Sequence, residues 1–215
     1  MKRVAFIIDG LNLYHSIERR PHWHGFKWLD LRALANAFIK PSSEVIVDVC
    51  FCTSSPTWNL NKLNRHNLLL KAYLDLGIRV VKGDIRKTKR DCRATCLQEF
   101  EDHEEKQTDI NVAVEVLRGV MGGTCDKVFL VSGDSDQIPT VKFFHEKFPD
   151  KELVIVIPPG EMAENLRQTA KASAQITLVQ LKRSMLSEPH VCKDGMGITK
   201  PCSWFNKTSR PPFTV

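Results

Sequence analysis

The 215-residue chain lacks any long apolar run, since no stretch of hydrophobic residues approaches the ~20 that a membrane-spanning helix needs. The first apolar run, Val4–Ile8, stops at Asp9 and is too short for the core of a signal peptide. We therefore interpret it as a first β-strand. We expect a cytoplasmic protein with no membrane partner.

The sequence also lacks the motifs of several enzyme classes. It has no glycine-rich loop of the P-loop or dinucleotide-binding type. No serine–histidine or cysteine–histidine pair stands at a recognisable catalytic spacing. The seven cysteines are an odd number and follow no secretion signal, which favours reduced thiols over a disulfide framework.

Two of these cysteines suggest a weak zinc pattern. Three residues, rather than the common two, separate Cys92 from Cys96, His103 follows further on, and a tetrahedral site needs a fourth ligand. His145, Cys125 or a tail cysteine are the available donors. We favour two free thiols in a surface insertion over a structural Zn²⁺ site, because no matched second pair of ligands is present.

What the chain does have is an ordinary globular composition with a basic balance. Hydrophobic residues make up 42% and charged residues 26%, and the length suits one sizeable core. The net charge of +6 makes a polyanionic partner plausible, nucleic acid above all. Many basic proteins bind no polyanion, so the charge alone is a weak indication.

Short Val- and Ile-rich runs alternate with segments of helical spacing, which predicts an α/β fold with a parallel sheet covered on both faces. The predicted strands are Val4–Ile8, Val45–Cys52, Ile78–Val81, Lys127–Val131, Leu153–Ile157 and Ile176–Val179. The predicted helical stripes are Leu31/Leu34/Ala35/Phe38, Leu69/Ala72/Tyr73/Leu76, Ile110/Ala113/Val114/Leu117, Val141/Phe144/Phe148 and the segment Met162–Ala172.

We predict one domain over residues 1–183, interrupted by a charged insertion at 84–105, and an irregular tail at 184–215. The insertion follows the third strand and begins with a basic run, in which Arg86, Lys87, Lys89 and Arg90 are candidate phosphate-binding residues. The same run is equally compatible with a solvated charged loop.

Aspartates follow two of the predicted strands, at the edge where ligands bind in open parallel sheets. Asp9 ends the first strand, before Gly10 and Asn12, and Asp134 and Asp136 come directly after the strand that ends at Val131. The alternative is that Asp9, Asn12 or Asp136 merely caps a helix. Two neighbouring carboxylates are harder to explain in that way, because like charges repel unless a cation lies between them.

Asp109 stands in the first turn of the third helical stripe, a position where acidic residues are common without any function. The combination with Asp9, Asp134 and Asp136 is more informative than each residue alone. Carboxylates that converge at one edge need a compensating charge, and Mg²⁺ or Mn²⁺ prefers such oxygen ligands. A site of this kind suits the hydrolysis of phosphodiester bonds.

Three segments resemble the signature motifs of NYN domains, the PIN-like group also called LabA or DUF88: 4–14 (VAFIIDGLNLY), 104–111 (EEKQTDIN) and 130–136 (LVSGDSD). The resemblance extends over residues 2–181, and residues 198–204 resemble the ending of some bacterial members. It implies a Rossmann-like three-layer sandwich with a mainly parallel sheet of five to six strands. It further implies a divalent-metal nuclease site, with RNA the usual inferred substrate. The matching positions are the acids Asp9, Asp109, Asp134 and Asp136, the polar partner Asn12, and the small polar residues Thr108 and Ser132. The family often has Gly at the position of Gln107.

Two functions of different classes follow. One is a ribonuclease that cleaves single-stranded RNA, in which Asp9, Asp134 and Asp136 bind the metal and Asp109 completes the site. DNA as a substrate is not excluded. The other is a catalytically silent module that recruits RNA or a protein. An aspartyl phosphatase is less favoured, because it needs a second aspartate where Leu11 stands. The sequence leaves the oligomeric state open, a homodimer included.

Overall fold

The structure is a computed structural model that describes residues 1–91 and 99–205. None of its described helices is long and apolar enough to cross a membrane. In chain order the strands and α-helices are β1 (Lys2–Asp9), α1 (Gly10–Glu18), α2 (Leu31–Asn36), β2 (Glu44–Thr53), α3 (Leu60–Asp75), β3 (Arg79–Lys82), β4 (Asp84–Asp91), β5 (Glu99–Lys106), α4 (Thr108–Met121), β6 (Lys127–Val131), α5 (Ile138–Lys147), β7 (Glu152–Ile157), α6 (Glu164–Thr169), β8 (Ser173–Gln175), α7 (Leu178–Arg183), β9 (His190–Val191) and β10 (Gly197–Ile198). Short 3₁₀ helices span Pro21–Lys27, Ser135–Gln137 and Cys202–Trp204.

Six strands form the central sheet in the order β3-β2-β1-β6-β7-β8, and all neighbouring strands are parallel. The predicted α/β fold with a parallel sheet of five to six strands is therefore confirmed. The strand order reverses between β1 and β6. This topological switch point leaves a crevice outside the carboxyl ends of the two strands, where ligands of open α/β sheets bind.

Both faces of the sheet are covered, which makes the three-layer sandwich. Alternate residues of β1 point to opposite faces, so that Val4, Phe6 and Ile8 join one buried cluster and Ala5 and Ile7 the other. The first cluster is completed by α1, α2, α3 and α7, and the second by α4, α5 and α6. Burial on both faces explains why the strands are continuously apolar.

The helix α4 exists as predicted, but the predicted apolar stripe is not its buried face. Ile110 is 66% exposed and Val114 is 53% exposed, whereas Val112, Val116 and Val120 are buried. Both sets have helical spacing, and the buried face also carries polar residues. These are Thr108 and Glu115, and the carboxylate of Glu115 accepts a 2.6 Å hydrogen bond from Arg79. Because these polar residues are buried inside the fold, the apolar pattern indicated the wrong face of α4.

The predicted strand Ile176–Val179 is wrong. The edge strand β8 ends at Gln175, and the following residues form α7. Thr177 and Gln180 make a reciprocal capping box, because each side chain bonds the backbone N–H of the other residue. This local signal outweighs the apolar run at this point. The helix predicted over Met162–Ala172 is shorter and is confined to α6.

The charged insertion is an antiparallel hairpin of β4 and β5, apart from its tip, residues 92–98, which lies outside the described residues. Its basic half faces its acidic half across the ladder, with Arg86 opposite Glu104 and Lys89 opposite Glu101. Opposite charges in such cross-strand positions stabilise the pairing. Cys92 and Cys96 belong to this tip, so the zinc hypothesis lies outside the described residues.

The tail was predicted to be irregular, yet residues 184–205 contain a short antiparallel ladder of β9 and β10. Cys192, Ile198 and Trp204 belong to the same buried cluster as α1–α3. His190 makes a 3.2 Å hydrogen bond with the carboxylate of Asp75 at the end of α3. Apolar side chains spaced too widely for a periodic pattern therefore order this segment. Residues 206–215 lie outside the described residues.

Candidate metal centre

Three of the four predicted acids come together at the switch point. Asp9 ends β1, Asp134 comes just after the neighbouring strand β6, and Asp109 stands in the first turn of α4. One carboxylate oxygen of each lies within 4.8 Å of those of the other two. Gln137 ties the start of α4 to the segment after β6, because its side-chain amide donates a 3.1 Å hydrogen bond to the carbonyl of Asp109.

Asp9 is held rigidly at the bottom of the group, with 2% of its surface exposed. One carboxylate oxygen accepts a 3.0 Å hydrogen bond from the backbone N–H of Asn12 and so caps α1. The other accepts a 2.9 Å hydrogen bond from the hydroxyl of Ser132. Capping is thus a real role of Asp9. Each oxygen has a second lone pair, so the cap does not prevent the carboxylate from binding a cation.

The acids destabilise one another's charged forms. Burial, with a smaller contribution from the charges of Asp109 and Asp134, raises the pKa of Asp9 to about 6, although the hydrogen bonds from Asn12 and Ser132 oppose the shift. Burial also raises the pKa of Asp109, and Asp134 adds to this effect. Like charges gathered around one buried carboxylate, Asp9, are the electrostatic environment that a cation relieves.

In the absence of divalent metal, we expect Asp9 to make the protein less stable as the pH rises from about 4 to about 7. The folded pKa of about 6 exceeds the reference value of 3.8, so the folded state binds more protons between these pH values and loses stability as they leave. The expected loss from this carboxyl is about 2–3 kcal/mol. Urea unfolding in chelator at several pH values measures it. The Asp9→Asn variant should lose this part of the pH dependence, and parallel curves for the two proteins would contradict the assignment.

Asp136, the fourth predicted acid, is exposed and is not in the group of three. Its backbone N–H donates a 3.0 Å hydrogen bond to Asp134, which caps the 3₁₀ turn that follows. The capping role considered for Asp136 therefore belongs to Asp134. The charge of Asp136 still contributes to the raised pKa of Asp109.

The small polar residues connect the two strand ends. The Ser132 hydroxyl is fully buried and accepts a 3.1 Å hydrogen bond from the N–H of Asp134 while donating to Asp9. The side-chain oxygen of Asn12 accepts a 2.8 Å hydrogen bond from Gly133 N–H. Thr108 is fully buried, and its hydroxyl has no hydrogen-bond partner among the described residues.

The sequence analysis missed a further acid, Glu161, which follows β7 at the same edge of the sheet. Its carboxylate contacts Arg19 at 3.2 Å and the side chain of Asn12. Burial raises the pKa of Glu161, and Asp134 adds to this effect. A Cβ at Gly133 would lie 2.1 Å from a Glu161 oxygen, so Gly133 provides the space for this carboxylate. The signal that could have identified Glu161 is its position shortly after β7, the strand that pairs with β6.

The turn before Asp109 depends on an unusual backbone conformation. Gln107 has φ 77°, in the left-handed region that favours glycine, directly before the first turn of α4. A glycine would adopt this conformation at less steric cost than Gln107 does. Glu105 accepts a 2.8 Å hydrogen bond from Thr108 N–H, and its charge also raises the pKa of Asp109.

The predicted phosphate-binding residues lie on β4. Arg86 contacts Asp84 at 3.8 Å, Lys89 contacts Glu99 at 3.3 Å, and Lys87 pairs with an acid on β5, Glu101. Arg90 also belongs to β4. The pairs are exposed, and exposed ion pairs contribute little, typically ~0–1 kcal/mol. A phosphate can therefore replace these partners at small cost. Phosphate binding by Arg86, Lys87, Lys89 and Arg90 stays a prediction.

The donor set of the acidic group fits a hard divalent cation. Oxygen ligands of Mg²⁺ at ~2.1 Å lie about 3 to 4.2 Å from one another in octahedral geometry. The separations of up to 4.8 Å between the Asp9, Asp109 and Asp134 oxygens are close to this range. No soft sulfur or imidazole ligand stands among the three, which disfavours zinc at this position.

Fold and site together define a Rossmann-like α/β protein with an acidic centre at its switch point. The chain belongs to the NYN domain family, whose profile matches residues 3–177, and NYN is a PIN-like nuclease family. The fold is similar to the crystal structure of VPA0982, a protein of unknown function from Vibrio parahaemolyticus RIMD 2210633. The TM-score is 0.55 with 16% identity, over 86% of this chain and 96% of that one, and it shows the fold alone. No curated protein matches the chain.

Proposed function

We propose that the protein is a divalent-metal-dependent ribonuclease that hydrolyses phosphodiester bonds of single-stranded RNA, with cleavage inside the strand. The observation that carries this proposal is the convergence of Asp9, Asp109 and Asp134 at the switch point of an NYN fold. The proposed cofactor is Mg²⁺ or Mn²⁺, because the ligand set consists of carboxylates.

In this proposal Asp9, Asp109 and Asp134 hold the cation, which would polarise the scissile phosphate and lower the pKa of the attacking water. Ser132 keeps Asp9 in one rotamer through its 2.9 Å hydrogen bond. Asp136 is exposed beside the group, where it would orient the attacking water or bind the cation through water. Asn12 fixes the backbone of Gly133 and so positions the loop that carries Asp134.

The proposed substrate is an unpaired RNA strand, in agreement with the net charge of +6 and with the basic run of β4, which begins beside the acids. Arg86, Lys87, Lys89 and Arg90 would bind phosphates on either side of the scissile bond. Buried thiols such as Cys50 and Cys52 suit a reducing compartment, and we propose a cytoplasmic location.

Removal of the metal tests the proposal. The purified protein should cleave a labelled single-stranded RNA in Mn²⁺ or Mg²⁺, and excess chelator should stop cleavage completely and reversibly. A DNA strand of the same sequence serves as the second substrate. Binding of RNA with no cleavage in either metal would contradict the enzyme and favour a silent RNA-binding module.

A further inference from the structure

A cavity of about 350 Å³ lies beside the acidic centre, between α1, α3 and the end of β2. Gly10, the neighbour of Asp9 in the chain, lines it on one side. Glu105, whose charge raises the pKa of Asp109, lines it on another. The cavity is therefore next to the proposed metal centre.

The wall of the cavity offers an aromatic surface. Trp58, in the segment after β2, is 45% exposed and stacks on the ring of His103 from β5, with centroids 4.9 Å apart and an interplanar angle of 23°. Tyr14 of α1 lines the same cavity. Exposed flat rings of this kind stack on unpaired nucleobases, which all present a π-face.

The wall of the cavity carries more positive than negative charge, since Lys27, Lys62 and Arg65 line it together with one acid, Glu105. Lys62 and Arg65 of α3 line it, and neither has an acidic partner among the described residues. Burial, together with the charges of Arg65 and Lys62, lowers the pKa of a third cation, Lys27, to about 8. Lys27 itself pairs with Glu18. Such an excess of cations favours an anionic ligand over an apolar peptide.

One polar group of the wall lacks a partner. The Nε2 of His66 is buried and makes no hydrogen bond within the described part of the chain. Burial lowers the pKa of His66 to about 4, so the ring is neutral at physiological pH and can donate or accept one hydrogen bond. A ligand with a polar edge that reaches this ring would supply the missing partner.

We propose that this cavity binds one unpaired nucleobase of the RNA strand, stacked on Trp58, with the neighbouring phosphates at Lys62 and Arg65. The proposal rests on the proposed function, which places the scissile phosphate at the acidic centre. Bases of a duplex are stacked and paired and cannot enter, so the cavity selects single strands. The nucleotide bound here lies close to the one at which the strand is cut.

Binding without cleavage tests this proposal. We would measure fluorescence anisotropy in chelator with a labelled single-stranded RNA of about ten nucleotides, and with the same strand lacking its bases. Wild-type protein should bind the complete strand more tightly than the abasic one. Trp58→Ala should weaken binding of the complete strand by about 5- to 150-fold and leave the abasic strand unaffected, because it removes base stacking.

Two further variants complete the design. Trp58→Phe keeps an aromatic ring and should restore most of the affinity, whereas Phe143→Ala removes an exposed ring on α5 and should change nothing. Equal affinities for the complete and abasic strands, or a Trp58→Ala protein that binds like the wild type, would overturn the base-binding role even if the enzyme cuts RNA. If the ribonuclease proposal fails instead, base-dependent binding should persist while metal-dependent cleavage is absent. The two failures can therefore be distinguished.

Discussion

The Asp134→Asn variant is expected to cleave single-stranded RNA about 10³-fold more slowly than the wild type while it folds normally. Asparagine has the same shape and can still accept the hydrogen bond from Asp136 N–H. The loss of one of three ligand charges weakens both cation binding and stabilisation of the transition state, which is worth several kcal/mol at ~1.4 kcal/mol per tenfold change in rate. Initial rates in Mn²⁺ with circular dichroism of the same sample measure both effects.

Asp150→Asn is the matched control, because this exposed aspartate precedes β7 and lies at the opposite end of the strands. It should retain the wild-type rate. In chelator, Asp134→Asn should be more stable than the wild type, since the charge of Asp134 raises the pKa values of Asp9 and Asp109. A wild-type cleavage rate for Asp134→Asn, in protein free of contaminating nuclease, would remove this residue from the catalytic group.

The Gly10→Ala variant is expected to lower the free energy of unfolding by about 2–3 kcal/mol, the upper part of the range for overpacked sites. A Cβ at this position would lie 2.5 Å from the ring of Phe51 and 2.7 Å from the backbone carbonyl of Cys52. Phe51 cannot turn aside easily, because it is 5% exposed and packs edge-on against Tyr73 at 5.0 Å. The start of α1, and Asp9 with it, must then shift.

Chemical denaturation of Gly10→Ala and Gly197→Ala gives the comparison. A Cβ at Gly197 would meet only Pro189, at 3.9 Å, so this substitution should change the free energy of unfolding by less than about 0.5 kcal/mol. Gly10→Ala should also weaken the binding of Mn²⁺, because it displaces the helix that Asp9 caps. An unfolding midpoint for Gly10→Ala equal to that of the wild type would mean that β2 yields at this contact.

The parallel sheet could be predicted from the sequence because its central strands are buried on both faces and are therefore apolar at consecutive positions. The edge of the sheet could not, because β8 has the sequence Ser173–Gln175 and carries no apolar run. The apolar pattern also could not predict which face of α4 is buried. Two apolar stripes compete on this helix, and the buried one includes Glu115, which Arg79 compensates from another element.

The acidic site was predictable where a strand end determines the position of a residue, as for Asp9 and Asp134. Asp109 required the family resemblance, because an acid in the first turn of a helix needs no other explanation. Glu161 was missed because a turn with φ 77° at Gly160 separates it from β7. The local sequence does not show that this turn brings the carboxylate back to Asn12.

A crystal soaked in Mn²⁺ tests the central claim most directly, because anomalous scattering locates the ion without reference to activity. We predict one strong peak between β1 and β6, with a carboxylate oxygen of Asp9, Asp109 and Asp134 each at ~2.2 Å from it. Asp136 should contact the ion through water or not at all. Saturating Mn²⁺ that leaves this crevice without a peak, or that binds only at other sites such as Asp75 and His190, would contradict a metal centre formed by these three aspartates.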